Sequence, residues 1–362
     1  MNNKSRDLVL FVVDRNDWAL GTMASEMAES LSGSHESTIL SEDEISNNPY
    51  RAWRLSREAK VIHFLGQYIA SGYGWLGMGR RCLVTLAHIE SSHIGFIKRL
   101  IGMGFRRFVA MSEMTAEEAR FAGIVVRHVW RPGVLVPEEV VRPGVNDIDP
   151  SRDAVPVLGF SGRMIPANRN RKGLDLFESV VTQVSRRADI KLRLCGEGGT
   201  PLLEKMRENG VTADLVAPEN REEALDFYRT IDIYLCTSRF EGGPLPVIEA
   251  MAAGCVVVST RVGFVPEVIN SDEVGILCPV NSAEPFEGAL MDLIQNPRKR
   301  IEMGSRAADH IKRNWGWGHD RGRIITAYEA VAQDPPTPIG FQILRALLSC
   351  LAGIIFAGRR KR

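Results

Sequence analysis

The sequence lacks the features that mark several common protein classes. It has 45 basic and 44 acidic side chains, so its net charge of +1 creates no field that would attract nucleic acid. Its six cysteines form no CxxC pair, and several lie in apolar runs, which favours buried, reduced thiols and a cytoplasmic protein. Residues 1–7 lead directly into an apolar run without a small-residue cleavage site, so we expect no secretory signal.

The length and the order of apolar segments predict the fold class. A chain of 362 residues exceeds what one hydrophobic core usually serves, so we expect two domains. Short apolar runs alternate with helical patterns, which is typical of parallel sheets with crossover helices. We therefore predict an α/β protein with two Rossmann-like domains in tandem, whose strand ends face each other across a cleft. The predicted strands are 8–13, 61–65, 83–87, 108–111, 155–160, 190–195, 231–236 and 255–259.

Turn-forming and acidic residues place the domain boundary near residues 142–153. We expect an N-terminal domain over residues 1–150 and a second domain over 151–315. A helix over 316–333 is expected to return toward the first domain, and residues 334–362 form a separate tail.

The segment 238–254 is the most informative part of the chain. An apolar strand precedes it, and Glu241 then lies in a glycine turn, eight positions before Glu249. Gly243, Pro244 and Leu245 lie where a helix begins, and a helix N-terminus offers unpaired N–H groups and the positive end of a dipole. This arrangement suits a phosphorylated, polyhydroxylated ligand such as a nucleotide sugar. Taken singly, the two glutamates could equally be a helix cap and a solvated helix residue.

Cations and glycines follow the other strands of the second half. Arg163 follows one strand, and Lys172 precedes a helical stretch; the two cations could bind a diphosphate. Arg169 and Arg171 share this loop, which could also be a solvated basic loop. Gly196 follows the next strand, in a glycine-rich turn that by itself is weak evidence for a site.

Two residues of the first half are further candidates. His88 follows a buried strand and could contact a sugar or stabilise charge, although a lone histidine is more often structural. Gly21 could open the first helix toward a ligand. The glycine- and aromatic-rich segment 66–79 is either a mobile loop that binds acceptor or membrane, or a buried connection.

These elements together resemble group 1 (family 4) glycosyltransferases of the GT-B fold. Glu241 and Glu249 match the E-x7-E element of that family, and the glycine loop at Gly196 is similar to its post-strand loop. The resemblance extends over residues 8–330 and is strongest from 160 to 267, where the segment 262–267 looks like a later glycine-and-glutamate turn. The segments 109–113 and 140–146 look like the family's Ser-Glu strand end and interdomain turn.

The resemblance implies retaining transfer from a nucleoside-diphosphate sugar without cofactor or metal, with the nucleotide sugar bound by the domain over 151–315 and the domain over 1–150 on the acceptor side. From the motif set and the C-terminal tail we expect a UDP- or GDP-linked donor and a saccharide or lipid-linked acceptor, in cell-surface polysaccharide synthesis. Glu241 and His88 would lie at the donor sugar as catalytic residues. The donor-binding set would comprise Arg163, Lys172, Gly196, Gly243, Pro244, Leu245 and Glu249. Gly21 would lie on the acceptor side.

Two features depart from the family pattern. Gly21 stands where many members have a glycine pair, and Asp147 and Asp149 imitate the metal-binding DxD of another glycosyltransferase fold. These acids lie in the predicted linker rather than at a strand end beside a nucleotide loop, so we interpret them as linker residues and not as metal ligands.

The tail combines an apolar segment with a basic end. Residues 346–358 are uncharged and are followed by Arg359-Arg-Lys-Arg362. The uncharged run is too short to cross a bilayer as a helix, which needs about 20 residues. Such a helix would lie at the cytoplasmic face of the membrane, where each cation gains about 1 kcal/mol from anionic lipid. The alternative is a helix packed on the protein.

The sequence is also compatible with two functions other than glycosyl transfer. A nucleotide-sugar epimerase could use the same architecture, and a catalytically silent chain could bind nucleotide sugars as a scaffold.

Overall fold

The structure, a computed structural model, describes residues 7–16, 19–133 and 155–336. The predicted linker, with Asp147 and Asp149, and the tail beyond residue 336 lie outside the described residues. The described chain forms two compact units. The first unit contains residues 7–110, 116–129 and 321–336, and the second contains 111–115, 130–133 and 155–320.

The first unit is built on a six-stranded parallel sheet with the order β2-β1-β3-β4-β5-β6. Its strands are β1 (Asp7–Val13), β2 (His35–Ser41), β3 (Val61–Phe64), β4 (Cys82–Leu86), β5 (Phe108–Ala110) and β6 (His128–Val129). The helices of this part of the chain are α1 (Ala19–Leu31), α2 (Glu42–Asn47), α3 (Pro49–Glu58), α4 (Gln67–Tyr73), α5 (Ser91–Gly102) and α6 (Glu113–Phe121).

The second unit contains another six-stranded parallel sheet, with the order β12-β11-β10-β7-β8-β9. Its strands are β7 (Val157–Ser161), β8 (Lys191–Cys195), β9 (Thr212–Val216), β10 (Ile233–Cys236), β11 (Val256–Thr260) and β12 (Ile276–Cys278). Its helices are α7 (Leu174–Ser185), α8 (Thr200–Glu208), α9 (Arg221–Arg229), α10 (Leu245–Ala252), α11 (Val265–Val268), α12 (Ala283–Gln295) and α13 (Pro297–Asn314).

The central strands of both sheets are buried along their length. All residues of β3, β4, β10 and β11 are buried, as expected for parallel strands covered by helices on both faces. Helix α7 closes one side of the second sheet and buries Phe177, Val180 and Val184 in the core of that unit. The apolar runs in the sequence therefore correspond to the centres of the two sheets.

The last described helix, α14 (Trp317–Gln333), carries the chain into the first unit. The hydroxyl of Tyr328, on α14, lies 2.8 Å from Nδ1 of His63 on β3, and both side chains are buried. Just beyond the helix, the carboxylate of Asp334 binds the Arg107 guanidinium, which lowers the pKa of Asp334. These polar contacts attach the end of the described chain to the first sheet.

The predicted fold class is confirmed by the two parallel α/β sheets. Each of the eight predicted strands corresponds to an observed strand, with ends shifted by no more than a few residues. The four unpredicted strands, β2, β6, β9 and β12, are the edge strands of the two sheets. Strands β2 and β9 mix polar and apolar residues, as partly covered edge strands do, and β6 and β12 are only two and three residues long. The proposed domain boundaries remain predictions. No described helix is long and apolar enough to span a membrane.

Candidate functional site

The candidate site lies at the carboxyl ends of three adjacent strands of the second sheet. Gly162 follows β7, Gly196 follows β8 and Thr237 follows β10, and the sheet order places β7 between the other two strands. In open α/β sheets, ligands bind at this edge, where the loops after the strands converge.

Glu241 lies in this region, surrounded by cations. Its Oε1 atom is 2.7 Å from Nζ of Lys172, and Nη1 of Arg171 lies 2.9 Å from both carboxylate oxygens. The hydroxyl of Ser238 donates to the same carboxylate at 3.0 Å. The Glu241 side chain is only 9% exposed, so these charges interact in a partly desolvated environment. The structure therefore brings together the predicted Glu241 and Lys172, and identifies Arg171 as the second cation.

Backbone contacts hold loop 170–173, which carries Arg171 and Lys172, against the segment that follows β10. The hydroxyl of Thr237 donates to the carbonyl of Lys172 at 3.0 Å, and the N–H of Arg239 donates to the carbonyl of Arg171 at 2.7 Å. Gly173 adopts a left-handed conformation with φ of 61°, and a Cβ there would lie 2.0 Å from the Thr237 carbonyl oxygen. A glycine is therefore required for the loop to approach this strand end.

A further ion pair connects the first turn of α7 to Arg239, in the segment that follows β10. Both terminal nitrogens of Arg239 donate to the Asp175 carboxylate, at 2.7 and 2.6 Å. The hydrogen bond from Arg239 lowers the pKa of Asp175 to about 2. Loop 170–173 is thus tied to residues 237–239 by both backbone and side-chain contacts.

Two glycines allow the loops after β7 and β8 to approach each other. A Cβ at Gly196 would lie 2.5 Å from the Gly162 carbonyl oxygen, and φ at Gly196 is 122°. A Cβ at Gly162 would lie 3.5 Å from Cε of Lys172, whose side chain therefore passes beside this turn. Arg163, next in the chain, forms an ion pair with Glu197 at 3.2 Å. Gly196 thus has a packing role here, whereas its donor-binding role remains a prediction.

The N-terminus of α10 adjoins the Glu241 loop. Gly243 is closely packed, since a Cβ there would lie 2.7 Å from Cε of Met111 and from the Phe264 ring. Pro244 is the N-cap residue and Leu245 begins the helix. Proline has no N–H group, so Gly243 and Leu245 provide the only N–H donors of the predicted trio. Pro244 can contribute through its fixed backbone conformation alone.

Glu249 lies in a buried polar network further along α10. The Tyr228 hydroxyl donates to its Oε2 atom at 2.6 Å, and Arg221 forms an ion pair with Oε1. The Tyr228 oxygen also lies 3.2 Å from the hydroxyl of Ser161, the last residue of β7. Burial and, after it, the charge of Glu249 raise the pKa of Tyr228 well above its usual range. Tyr228 is therefore a neutral donor that links Glu249 to the central strand.

Sequence reasoning missed Arg221 and Tyr228. Arg221 is the first residue of α9, where a cation opposes the helix dipole, and an unfavourable position of this kind can indicate a specific partner. Tyr228 belongs to the buried face of α9 and gave no signal apart from its hydroxyl.

The later glycine-and-glutamate turn is also organised by charge. One oxygen of Glu267 accepts from the N–H of Glu113 at 2.9 Å, and the other lies 3.2 Å from Nε of Arg131. The Arg131 guanidinium lies over the Trp315 ring, 4.9 Å from its centroid. Glu267 therefore connects residues 111–115 and 130–133 within the second unit.

His88 and Gly21 lie in the first unit. His88 Nε2 lies 3.4 Å from Oε1 of Glu90, and its ring meets that of His93 edge-on, with centroids 4.6 Å apart. A Cβ at Gly21 would lie 2.2 Å from the Arg15 carbonyl oxygen, so the start of α1 packs closely on residues 15–16. The predicted roles of His88 at the donor sugar and of Gly21 toward the acceptor remain predictions.

Comparison with known protein families supports the interpretation of the second unit. Residues 155–296 match the family described as "Glycosyl transferases group 1". A D-inositol 3-phosphate glycosyltransferase from Rhodococcus erythropolis is 29% identical over 188 residues, which are 49% of this chain and 41% of that protein. The chain thus aligns with about two fifths of the length of the first curated relatives that it matches. The predicted resemblance to group 1 glycosyltransferases is confirmed.

Solved structures with the same architecture cover both units. Sucrose-phosphate synthase from Thermosynechococcus elongatus has a TM-score of 0.72 at 13% identity, covering 90% of this chain and 99% of that one. Anabaena Alr3699/HepE in complex with UDP-glucose has a TM-score of 0.68 at 13% identity, covering 90% and 98% of the two chains. At this level of identity the likeness establishes the fold, which is the GT-B fold.

Proposed function

We propose that this chain is a retaining glycosyltransferase that moves a sugar from a UDP- or GDP-linked donor to a saccharide or lipid-linked acceptor. The observation that carries the proposal is the placement of Lys172 and Arg171 on Glu241, at the strand ends and beside the N-terminus of α10. The family match over residues 155–296 supports the same reaction class, as does the name of the Rhodococcus relative.

The chemistry requires positive charge at the leaving group. In the proposed reaction, the bond between the anomeric carbon and the diphosphate oxygen breaks and a bond to the acceptor hydroxyl oxygen forms. The hydroxyl proton leaves with the diphosphate. Lys172 and Arg171 can stabilise the negative charge that develops on the diphosphate, because fixed cations in a partly desolvated site need little reorganisation. The N–H groups of Gly243 and Leu245 add donors at a helix N-terminus.

The pairing of Glu241 with Lys172 and Arg171 has a functional consequence. Its carboxylate neutralises the cation pair, whose side chains are only 12% and 22% exposed. We propose that a bound diphosphate competes for Lys172 and Arg171, and that Glu241 is then available to the donor sugar. Arg163, paired with Glu197 and 39% exposed, is the more accessible cation and would contact the diphosphate from the β7 loop.

Glu249 is proposed to bind the ribose hydroxyls of the donor. Its two oxygens already accept from Tyr228 and Arg221. A carboxylate can accept about four hydrogen bonds, so it retains capacity for a ribose hydroxyl. Tyr228 and Arg221 are proposed to hold the carboxylate in position for that contact.

The acceptor side of the proposal rests on the sequence. The apolar and basic segment 339–362 favours action at the cytoplasmic face of a membrane, on a lipid-linked saccharide or a cell-surface glycan precursor. Flotation with anionic liposomes tests this assignment. A variant ending at Pro336 retains Asp334 and its ion pair with Arg107, so its fold should be preserved. Equal flotation of the full chain and this variant would contradict the assignment.

A panel of nucleoside diphosphates and their sugars tests the donor class. We expect either uridine or guanosine nucleotides, not both, to raise Tm, and the matching nucleotide sugar to release its diphosphate when acceptor is added. Product analysis by NMR separates transfer from epimerisation, which would change the sugar without an acceptor. Donor binding without transfer to any acceptor would favour a binding scaffold and contradict the proposal.

A further inference from the structure

The loop after β4 gathers three potential metal ligands in the first unit. His88, Glu90 and His93 each offer one ligand atom, and these atoms lie within 4.8 Å of one another. Among the residues that the structure describes, this is the one group of three or more histidine, cysteine or carboxylate side chains close enough to hold an ion. The sequence spacing His-x-Glu-x-x-His places the first two residues before α5 and the third in its first turn.

The distances fit a small divalent ion. His88 Nε2 and Glu90 Oε1 are 3.4 Å apart. Two ligands that each lie about 2.0–2.1 Å from a tetrahedral zinc ion are separated by roughly 3.3 Å. The third ligand atom lies within 4.8 Å of the others, so a modest rotation of its side chain would bring it into the same sphere. All three residues are partly buried, so each remains partly accessible to solvent.

The surroundings of the cluster supply second-sphere contacts. A histidine that binds zinc through one ring nitrogen usually donates from the other to a carbonyl or carboxylate. Nδ1 of His93 lies 3.3 Å from the His88 carbonyl oxygen and 3.2 Å from Nε2 of Gln67. The tautomer that donates from Nδ1 to the carbonyl is the one that leaves Nε2 for the metal. Gln67 fixes the same loop, because its Nε2 donates to the His88 carbonyl at 2.7 Å and its Oε1 accepts from the Ala87 N–H at 3.0 Å.

The cysteine thiols of the described chain should compete little with these three side chains for such an ion. The five described cysteines are buried. Burial raises the pKa of Cys195 to about 12 and that of Cys278 to about 11, so these thiols stay protonated near neutral pH. Imidazole and carboxylate ligands with an open position are typical of zinc sites that retain water.

We propose that His88, Glu90 and His93 form a site for a divalent transition-metal ion of the zinc class, which is separate from the diphosphate chemistry of the second unit. Occupation engages His88, the residue that the family resemblance places at the donor sugar. On the basis of the proposed function, the ion therefore inhibits transfer reversibly.

Direct binding tests the site independently of activity. The full chain, purified without a histidine tag, is dialysed against Zn²⁺ and its metal content measured, and Co²⁺ provides a visible spectrum. We expect one ion per chain and a tetrahedral Co²⁺ spectrum, with affinity reduced at least tenfold in Glu90→Gln and in His93→Ala. His128→Ala, which removes a partly buried histidine of the same unit, is the matched control and should bind like the unaltered chain.

Two results would overturn the site: no stoichiometric binding, or equal affinity in the Glu90→Gln, His93→Ala and unaltered chains. Circular dichroism confirms that each variant is folded. The inhibitory role has its own readout, which is the transfer rate of each chain with Zn²⁺ relative to its own metal-free rate. Stoichiometric binding at this site without loss of rate would overturn the inhibitory role and leave the proposed transferase activity intact.

Discussion

Nζ of Lys172 lies 2.7 Å from Oε1 of Glu241, although the two residues come from different loops of the second sheet. One loop follows β7 and the other follows β10, which are neighbouring strands. The pair joins the cation predicted to bind a diphosphate to the acid predicted to lie at the donor sugar. The short distance indicates that each residue is held in place by the charge of the other.

Loss of Lys172 should impair transfer far more than it impairs folding. In Lys172→Met we expect kcat/KM to fall at least about 100-fold, since one electrostatic contact in a desolvated site contributes roughly 2.7–4 kcal/mol to catalysis. Steady-state release of nucleoside diphosphate measures the change. Lys191→Met is the control, because Lys191 is exposed and lies at the opposite end of its strand. Comparable rates in the two variants would contradict the role of Lys172.

Gly173 should tolerate no side chain. In Gly173→Ala the new Cβ meets the Thr237 carbonyl and the residue keeps its left-handed φ, so we expect a loss of about 1–3 kcal/mol in unfolding free energy. Gly288, within α12, has no atom within 4 Å of a built Cβ. Gly288→Ala should therefore be neutral or stabilise by up to about 1 kcal/mol. Urea denaturation compares the two, and equal stabilities would show that the loop does not depend on this conformation.

The Tyr228 hydroxyl should contribute measurably to stability. Tyr228→Phe removes the hydroxyl that donates to the buried carboxylate of Glu249 at 2.6 Å. A hydrogen bond to a charged group contributes about 1.5–3 kcal/mol, so Tm should fall by several degrees. Tyr50 is 72% exposed, and Tyr50→Phe should leave Tm unchanged. An unchanged Tm in Tyr228→Phe would show that the Glu249 network is not stabilising.

The unfolding free energy should decrease in mild acid because His63 is buried as a neutral side chain. Burial lowers the pKa of His63 from 6.5 to about 3, so the unfolded chain binds a proton below pH 6.5 that the folded chain does not. The stabilisation is complete above pH 6.5 and is lost as pH falls toward 3, by up to about 1.4 kcal/mol per pH unit.

A substitution can show whether this pH dependence of the unfolding free energy arises from His63. His63→Gln removes the group while the other histidines remain, so the decline in unfolding free energy between about pH 6.5 and 5.5 should be smaller than in the unaltered chain. Urea denaturation at several pH values measures both slopes. Parallel slopes would mean that His63 does not titrate differently in the folded and unfolded chains.

The sequence was sufficient to predict the centre of each sheet but not its edges. Runs such as the one in β11 are apolar because both faces of the strand are covered, whereas edge strands such as β2 mix polar and apolar residues. Gly196 was predicted to lie in a glycine-rich turn, whereas the requirement for glycine at 173 emerged only from the structure. The carbonyl oxygens that they approach lie on other loops, so no local pattern could identify them.

The site could be predicted in part. Glu241 and Lys172 stand beside strand ends, and sheet topology brings such positions together. The choice among the cations of loop 169–172 depends on side-chain direction, so Arg171 emerged only from the structure. Arg221 and Tyr228 reach Glu249 from another helix, a contact over 21–28 positions in sequence that composition cannot reveal.

The most direct test of the account is the transfer rate of Glu241→Gln with the donor that the nucleotide panel identifies. Glu208→Gln is the control, since Glu208 is exposed at the end of α8. Glutamine keeps the shape of the side chain and removes its charge. We predict a loss of at least about 100-fold in kcat for Glu241→Gln, with the control unchanged. Full activity in Glu241→Gln would contradict the assignment of Glu241 to the reacting centre.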